Sequence, residues 1–181
     1  MIKNSNDEIP SIEVPTGEQT QISKKIIELS KQIEGEGIDY IKNVSDYIRS
    51  LDTKETHKFT SERDATEIID SGYWSGCHEA GIVFASLLRA KGINTIYIQV
   101  LNREGVENYK EGESSLNGHV YLEAEIGGSK VIINSTNGKI TDKLPEDVVI
   151  GAKGMDSWDI GLKEHQDMRN IFKARHSDFL A

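Results

Sequence analysis

The chain has 181 residues, 36% of them hydrophobic and 28% charged, with a net charge of −9 at pH 7. That composition suits one soluble globular domain with a real core. The acidic balance argues against nonspecific nucleic-acid binding, which needs Lys and Arg to neutralise phosphates. No apolar stretch approaches the ~18 residues of a membrane-spanning helix. The amino-terminal sequence MIKNSNDEIPSIEVP lacks the apolar centre of a signal peptide. The expected location is therefore cytoplasmic, or secreted if a signal segment was removed ahead of Met1.

Residues 1–17 hold two of the three prolines and many polar side chains, and read as a flexible arm ahead of a single domain over 18–181. From Gln19 the apolar spacing turns helical, through Ile22, Ile26, Ile27, Leu29 and Ile33, with a stop near Gly35 and Gly37. A second helical pattern runs through Ile38, Ile41, Val44, Tyr47, Ile48 and Leu51. DTKETHKFTSERD reads as a polar loop, and Ala65 to Ile69 as a short helical turn closed by Ser71-Gly72. The next helix has Ser75 as its expected cap and Glu79 in its first turn. Its apolar face is Ala80, Val83, Phe84, Leu87 and Leu88, and Gly92 is a good C-cap. INTIYIQVL reads as a buried strand, and residues 102–118 as a polar loop. HVYLEAEI and KVIIN are two strands joined by Gly127-Gly128, a strong hairpin signal. Asn137-Gly138 marks another turn, MDSWDIG one in which Trp158 packs on the core, and Leu162 to Phe179 an amphipathic helix. Helices first and an antiparallel sheet after them give the class α+β.

The chain has one cysteine, Cys77. It excludes an intramolecular disulfide framework and a CxxC zinc site. A lone cysteine is by default a small buried hydrophobe, and it becomes a nucleophile candidate only with a suitable histidine in reach. Cys77 falls in the first turn of its helix, where the dipole and free N–H groups favour the thiolate and can hold an oxyanion. Tyr73 and Trp74, just before it, either wall a substrate site or pack the helix entrance.

Of the five histidines, His78 adjoins Cys77 but points about 100° away on a helix. His57 lies in a polar loop, and His165 and His176 on the carboxy-terminal helix. His119 begins a strand. With Gly127-Gly128 as a two-residue turn, Tyr121 pairs with Asn134, so His119, Tyr121, Glu123, Ile132 and Asn134 share one face. Asn134 is then diagonal to His119, about 7–8 Å away along the backbone, within reach of its ring. A carboxamide oxygen there can orient the imidazole.

These residues resemble the transglutaminase-like superfamily. GYWSGCHEAGIVFASLLRAKGINTIYIQV is similar to that family's Gly-x-Cys helix with its Arg-Ala-x-Gly-Ile ending and following strand. GHVYLEAEI is similar to its His-x-aromatic-x-Glu strand, and VIINSTNG to its strand ending in Asp-Pro-Thr. The three blocks stand in family order and cover residues 72 to 138. The resemblance implies a papain-like fold, with Cys77 as nucleophile, His119 as base and Asn134 as third member. Asn134 and Ser135 stand where the family usually has Asp and Pro; papain-type enzymes use Asn in this role.

The function expected on this basis is acyl transfer at an amide through a thioester, on a peptide or protein substrate, with hydrolysis favoured. The alternatives are a crosslinking transglutaminase and a noncatalytic binding module that kept the fold. Tyr73, Trp74 and Tyr121 are the expected substrate-contacting residues. Neither a cofactor nor a metal is called for. Some family members use calcium, but the acidic loop ENYKEGES is a poor ligand pattern and reads as a solvated loop. Oligomeric state is not legible in the sequence.

Overall fold

The computed structural model describes residues 14–54, 62–112 and 116–181. His57 and most of the amino-terminal arm lie outside them. Among the described residues, five helices precede or flank a sheet and a sixth follows it. Helix α1 is Lys24–Gln32, α2 Gly37–Ser50, α3 Ala65–Ser71, α4 Cys77–Ala90, α5 Arg103–Glu107 and α6 His165–Leu180. The strands are β1 Asp52–Thr53, β2 Tyr73–Trp74, β3 Thr95–Asn102, β4 Gly118–Ile126, β5 Ser129–Asn134, β6 Ile140–Thr141 and β7 Val148–Gly154. Strands β1 and β2 form a small parallel pair; the others form one antiparallel sheet in the order β6-β5-β4-β3-β7. The architecture is α+β, as the element order implies.

Helix α4 is the axis of the molecule, with every residue from His78 to Arg89 buried. Helices α1, α2 and α3 pack around it, and its remaining side lies on Tyr97, Val120, Leu122, Ala124 and Ile133 of the sheet. Gly81 permits that approach: a Cβ there would fall 2.7 Å from Val120 Cγ1. A side-chain cap is worth ~1 kcal/mol, whereas each fully buried Leu, Ile or Phe contributes ~1.5–3 kcal/mol. Packing rather than capping therefore holds this helix. The opposite sheet face gathers Ile98, Val100 and Ile132 with Tyr121, Leu144 and Val148. Helices α5 and α6 close a third cluster of Leu101, Val106, Leu162, Met168 and Phe172.

The hairpin has the register that a two-glycine turn dictates, from Ile126 opposite Ser129 to Tyr121 opposite Asn134. Gly127 and Gly128 both take positive φ, 58° and 79°, which suits a tight turn matched to the strand twist. Three expectations need correction. Helix α1 starts at Lys24, not Gln19, because Ser23 supplies the cap by accepting the Ile26 N–H. Gln19 and Thr20 are instead fully buried in a turn. The Gln19 N–H donates to Asp156 Oδ2 and its side-chain oxygen accepts from Ser157 and from the Trp158 N–H. The MDSWDIG turn thus anchors the start of the domain, and Trp158 lies half-buried beside Thr16 and Gly17. The segment read as one polar loop contains α5, capped by Asn102 accepting the Gly105 N–H.

Candidate active site

Cys77 is the first residue of α4. The expected cap, Ser75, is not the cap. Gly76 occupies that position at φ 130°, in backbone space open to glycine, and the Ser75 hydroxyl donates to Glu79 Oε2 at 2.8 Å. The Cys77 sulfur is faced by the backbone N–H groups of Val120, Cys77 and His78. The Cys77 carbonyl accepts from Ser135 Oγ at 3.2 Å. The start of α4 is thereby tied to the strand ends that carry His119 and Asn134.

His119 Nε2 lies 3.0 Å from Asn134 Oδ1. The orientation of this amide is set independently, because Oδ1 also accepts from the Thr136 backbone N–H at 3.1 Å and from Thr136 Oγ1 at 2.9 Å. An oxygen only accepts, so Nε2 carries the proton and Nδ1 of the neutral ring is left as the base. Tyr121 stacks edge-on against His119, with ring centroids 5.1 Å apart. Tyr121 and Asn134 also line a cleft of about 530 Å³ whose far wall runs from Asn137 to Glu146.

The electrostatics differ from what a helix N-terminus alone implies. Cys77 keeps some surface exposure, yet it is enclosed enough by protein that burial pushes its thiol up to about 11, against the smaller pull of the three N–H groups. The resting sulfur is therefore a neutral thiol at pH 7, and the expected lowering is overridden by desolvation. His78, buried beside it, has its Nδ1 2.9 Å from the Tyr97 hydroxyl, and burial holds it down to about 4. It is a neutral core residue of α4.

Of the remaining expected residues, Trp74 donates Nε1–H to the Ile48 carbonyl at 3.0 Å and packs on the main core. That is the packing alternative for this side chain. Tyr73 lies between Lys54 and Arg63, whose cationic groups sit 3.8 and 4.3 Å from its ring centre. His176 is bonded through Nδ1 to the Val106 carbonyl of α5. Arg63, beside the segment that leads into Cys77, was not singled out from sequence, and Ser135 and Thr136 were given no role in the site. Thr136 alone had a local signal, since an Asn-x-Thr run at a strand end favours this kind of side-chain-to-backbone turn. Among the described residues there is no cluster of His, Cys, Asp and Glu fit to hold a metal ion, and no helix is long and apolar enough to cross a membrane.

No protein-family model and no curated protein sequence matches the chain. Solved structures do. A protein of Cytophaga hutchinsonii put forward as a cysteine protease superposes with a TM-score of 0.58 at 18% identity, over 85% of this chain and 52% of that one. Legionella pneumophila LapG superposes with a TM-score of 0.51 at 13% identity, over 83% of this chain and 96% of that one. The chain thus spans about half the length of the Cytophaga protein and nearly all of LapG. At such identities the likeness speaks for architecture, and that architecture is the transglutaminase-like, papain-like fold.

Proposed function

We propose that the chain is a cysteine hydrolase that cleaves amide bonds of a peptide or protein through a thioester on Cys77. The observation that carries this reading is the His119–Asn134 hydrogen bond at strand ends that also touch the first residue of α4, through Ser135 Oγ and the Cys77 carbonyl. The His119 ring is oriented through Nε2, leaving Nδ1 as proton acceptor. His119 Nδ1 takes the thiol proton as the sulfur attacks the carbonyl carbon, and backbone N–H groups around Cys77 hold the oxyanion. The imidazolium gives its proton to the departing nitrogen as the C–N bond breaks. Water then attacks the thioester with His119 again as base, and the acid leaves as the C–S bond breaks. The neutral resting thiol makes this a general-base mechanism, in which proton transfer accompanies attack. Tyr121 and the adjoining cleft are the place for a substrate side chain.

The raised thiol pKa favours a second reading, a noncatalytic peptide-binding module with the same fold. Glutamine-containing peptides, incubated with and without an added primary amine, separate the readings. Hydrolysis by the wild type and none by Cys77→Ala supports the hydrolase. Amine incorporation in place of acid would make the chain a crosslinking transglutaminase. Binding without turnover would leave the module.

A further inference from the structure

The segment leading into Cys77 is held by an ion pair between the buried Glu79 and the part-exposed Arg63 that the reaction itself does not use. Glu79 is 1% exposed, and four donors converge on its carboxylate. Arg63 Nε donates to Oε1 at 2.8 Å, while Arg63 Nη2 at 2.5 Å and the Ser75 N–H and hydroxyl, both at 2.8 Å, donate to Oε2. The same guanidinium donates to Ser71 Oγ at 2.6 Å and to the Tyr73 carbonyl at 3.2 Å, and lies over the Tyr73 ring. Residues 71–75 are thus gripped from one side by Arg63 and at their end by Glu79. The next residue, Gly76, has no side chain to fix it and no atom within 4 Å of where a Cβ would be. A glycine at φ 130° is the softest link in the segment. Its geometry is imposed by its neighbours.

We infer that Arg63 and Glu79 are positioning residues for Cys77: their ion pair anchors the Ser75 backbone, sets the Gly76 turn and so aims the first-turn N–H groups at the sulfur. Stability alone does not call for a carboxylate at the buried Glu79 position, since apolar residues of similar volume often serve a buried site as well or better. The geometric role explains why a carboxylate on α4 is joined to a guanidinium 16 residues upstream. The inference rests on the reading of Cys77 as nucleophile and assigns that site two further residues.

The test replaces both partners, Arg63→Met with Glu79→Leu, in the full chain. A neutral pair gives way to neutral side chains, so no net charge changes beside the thiol. Iodoacetamide alkylation of Cys77 is followed against pH, together with thermal melting and peptide turnover. Expected are a melting temperature within about 4 °C of wild type and alkylation about tenfold slower below the thiol's pKa, a displacement of about one pH unit. Turnover should lose kcat with KM retained. Arg63→Lys keeps the charge but not the two-pronged grip, and should fall between; it decides the matter if the double variant does not fold. Alkylation curves superimposable on wild type, in whichever variant folds, overturn the inference. A displaced curve in a chain without Cys77-dependent turnover sinks the hydrolase reading instead and leaves the positioning intact.

Discussion

Each end of α4 is held by an arginine, and the two are held in opposite ways. Arg89, at the carboxy-terminal end, is fully buried and bonds neutral oxygens: the Thr95 carbonyl through Nε and Nη2, the Met155 carbonyl at 2.8 Å and Thr20 Oγ1 at 2.5 Å. Burial draws its guanidinium down to about 10, with Asp156 and Asp159 opposing from a distance. Arg63, near the amino-terminal end, meets a carboxylate through two prongs, and that contact raises its pKa. Arg89 joins segments distant in the chain, namely the start of β3, the turn at Met155 and the amino-terminal turn. Arg63 joins residues within one short stretch, 71 to 79. A carbonyl clamp of the first kind holds a fold together; an ion-pair grip of the second kind fixes a local geometry. On the positioning proposal, the first kind of loss should unfold the chain and the second should lower turnover without unfolding it.

The largest expected effect lies at the armed end. Cys77→Ala and His119→Ala should each abolish turnover of any peptide substrate while circular dichroism and melting stay near wild type. Retained turnover in either would break the comparison at its root. Next, Arg89→Ala should cost ~3–5 kcal/mol in urea unfolding, because it strands buried carbonyls and removes a network that spans the domain. An Arg89→Ala protein as stable as wild type, with displaced Cys77 alkylation, would invert the assignment of the two ends.

A third effect is pH-dependent. Burial holds His78 down to about 4 in the folded chain, against an ordinary 6.5. Its contribution is present above the unfolded value and is lost as pH falls from about 6.5 through about 4, because the unfolded chain then binds the proton and the folded chain does not. The loss amounts to ~3 kcal/mol. His78→Asn, which offers an oxygen where Nδ1 faces Tyr97, should flatten the acid side of the stability curve; unfolding at pH 7 and 4.5 measures it, and equal slopes would refute the assignment. The smallest effect is at the orienting residue. Asn134→Ala should lower kcat about tenfold with Cys77 and His119 in place. Asn134→Asp should favour the imidazolium–thiolate pair and speed alkylation at mildly acidic pH. Superimposable rate–pH curves for Asn134→Asp and wild type would remove Asn134 from the site.

What was legible in the sequence is what local chemistry dictates. Gly127-Gly128 forces a two-residue turn, and strand alternation then puts His119 and Asn134 on one face. The apolar spacing of α4 is equally local. The cap was not legible. Ser75 is a good local cap, but Glu79 takes its hydroxyl, and Glu79 is where it is because of Arg63, 16 residues away. The state of the thiol was hidden for the same reason: its enclosure comes from β4 as well as α4. Strand β7 carries Gly151 and Gly154, which weaken any strand signal, yet a Cβ at Gly151 would meet Ile171 Cγ2 at 3.0 Å. The glycine is there for α6 to dock. Helix α5 has a glycine at its centre and too few residues to show a period.

The central claim is a covalent acyl group on Cys77 during turnover. Acid quenching of wild type mixed with a hydrolysed peptide, followed by mass analysis of the proteolytic fragment that contains Cys77, reads it directly. The account predicts a fragment heavier by the acyl portion of the substrate, labile to hydroxylamine as a thioester is, and absent from Cys77→Ala. Turnover with an unmodified Cys77 fragment at every quench time, continuing undiminished in Cys77→Ala, would contradict it.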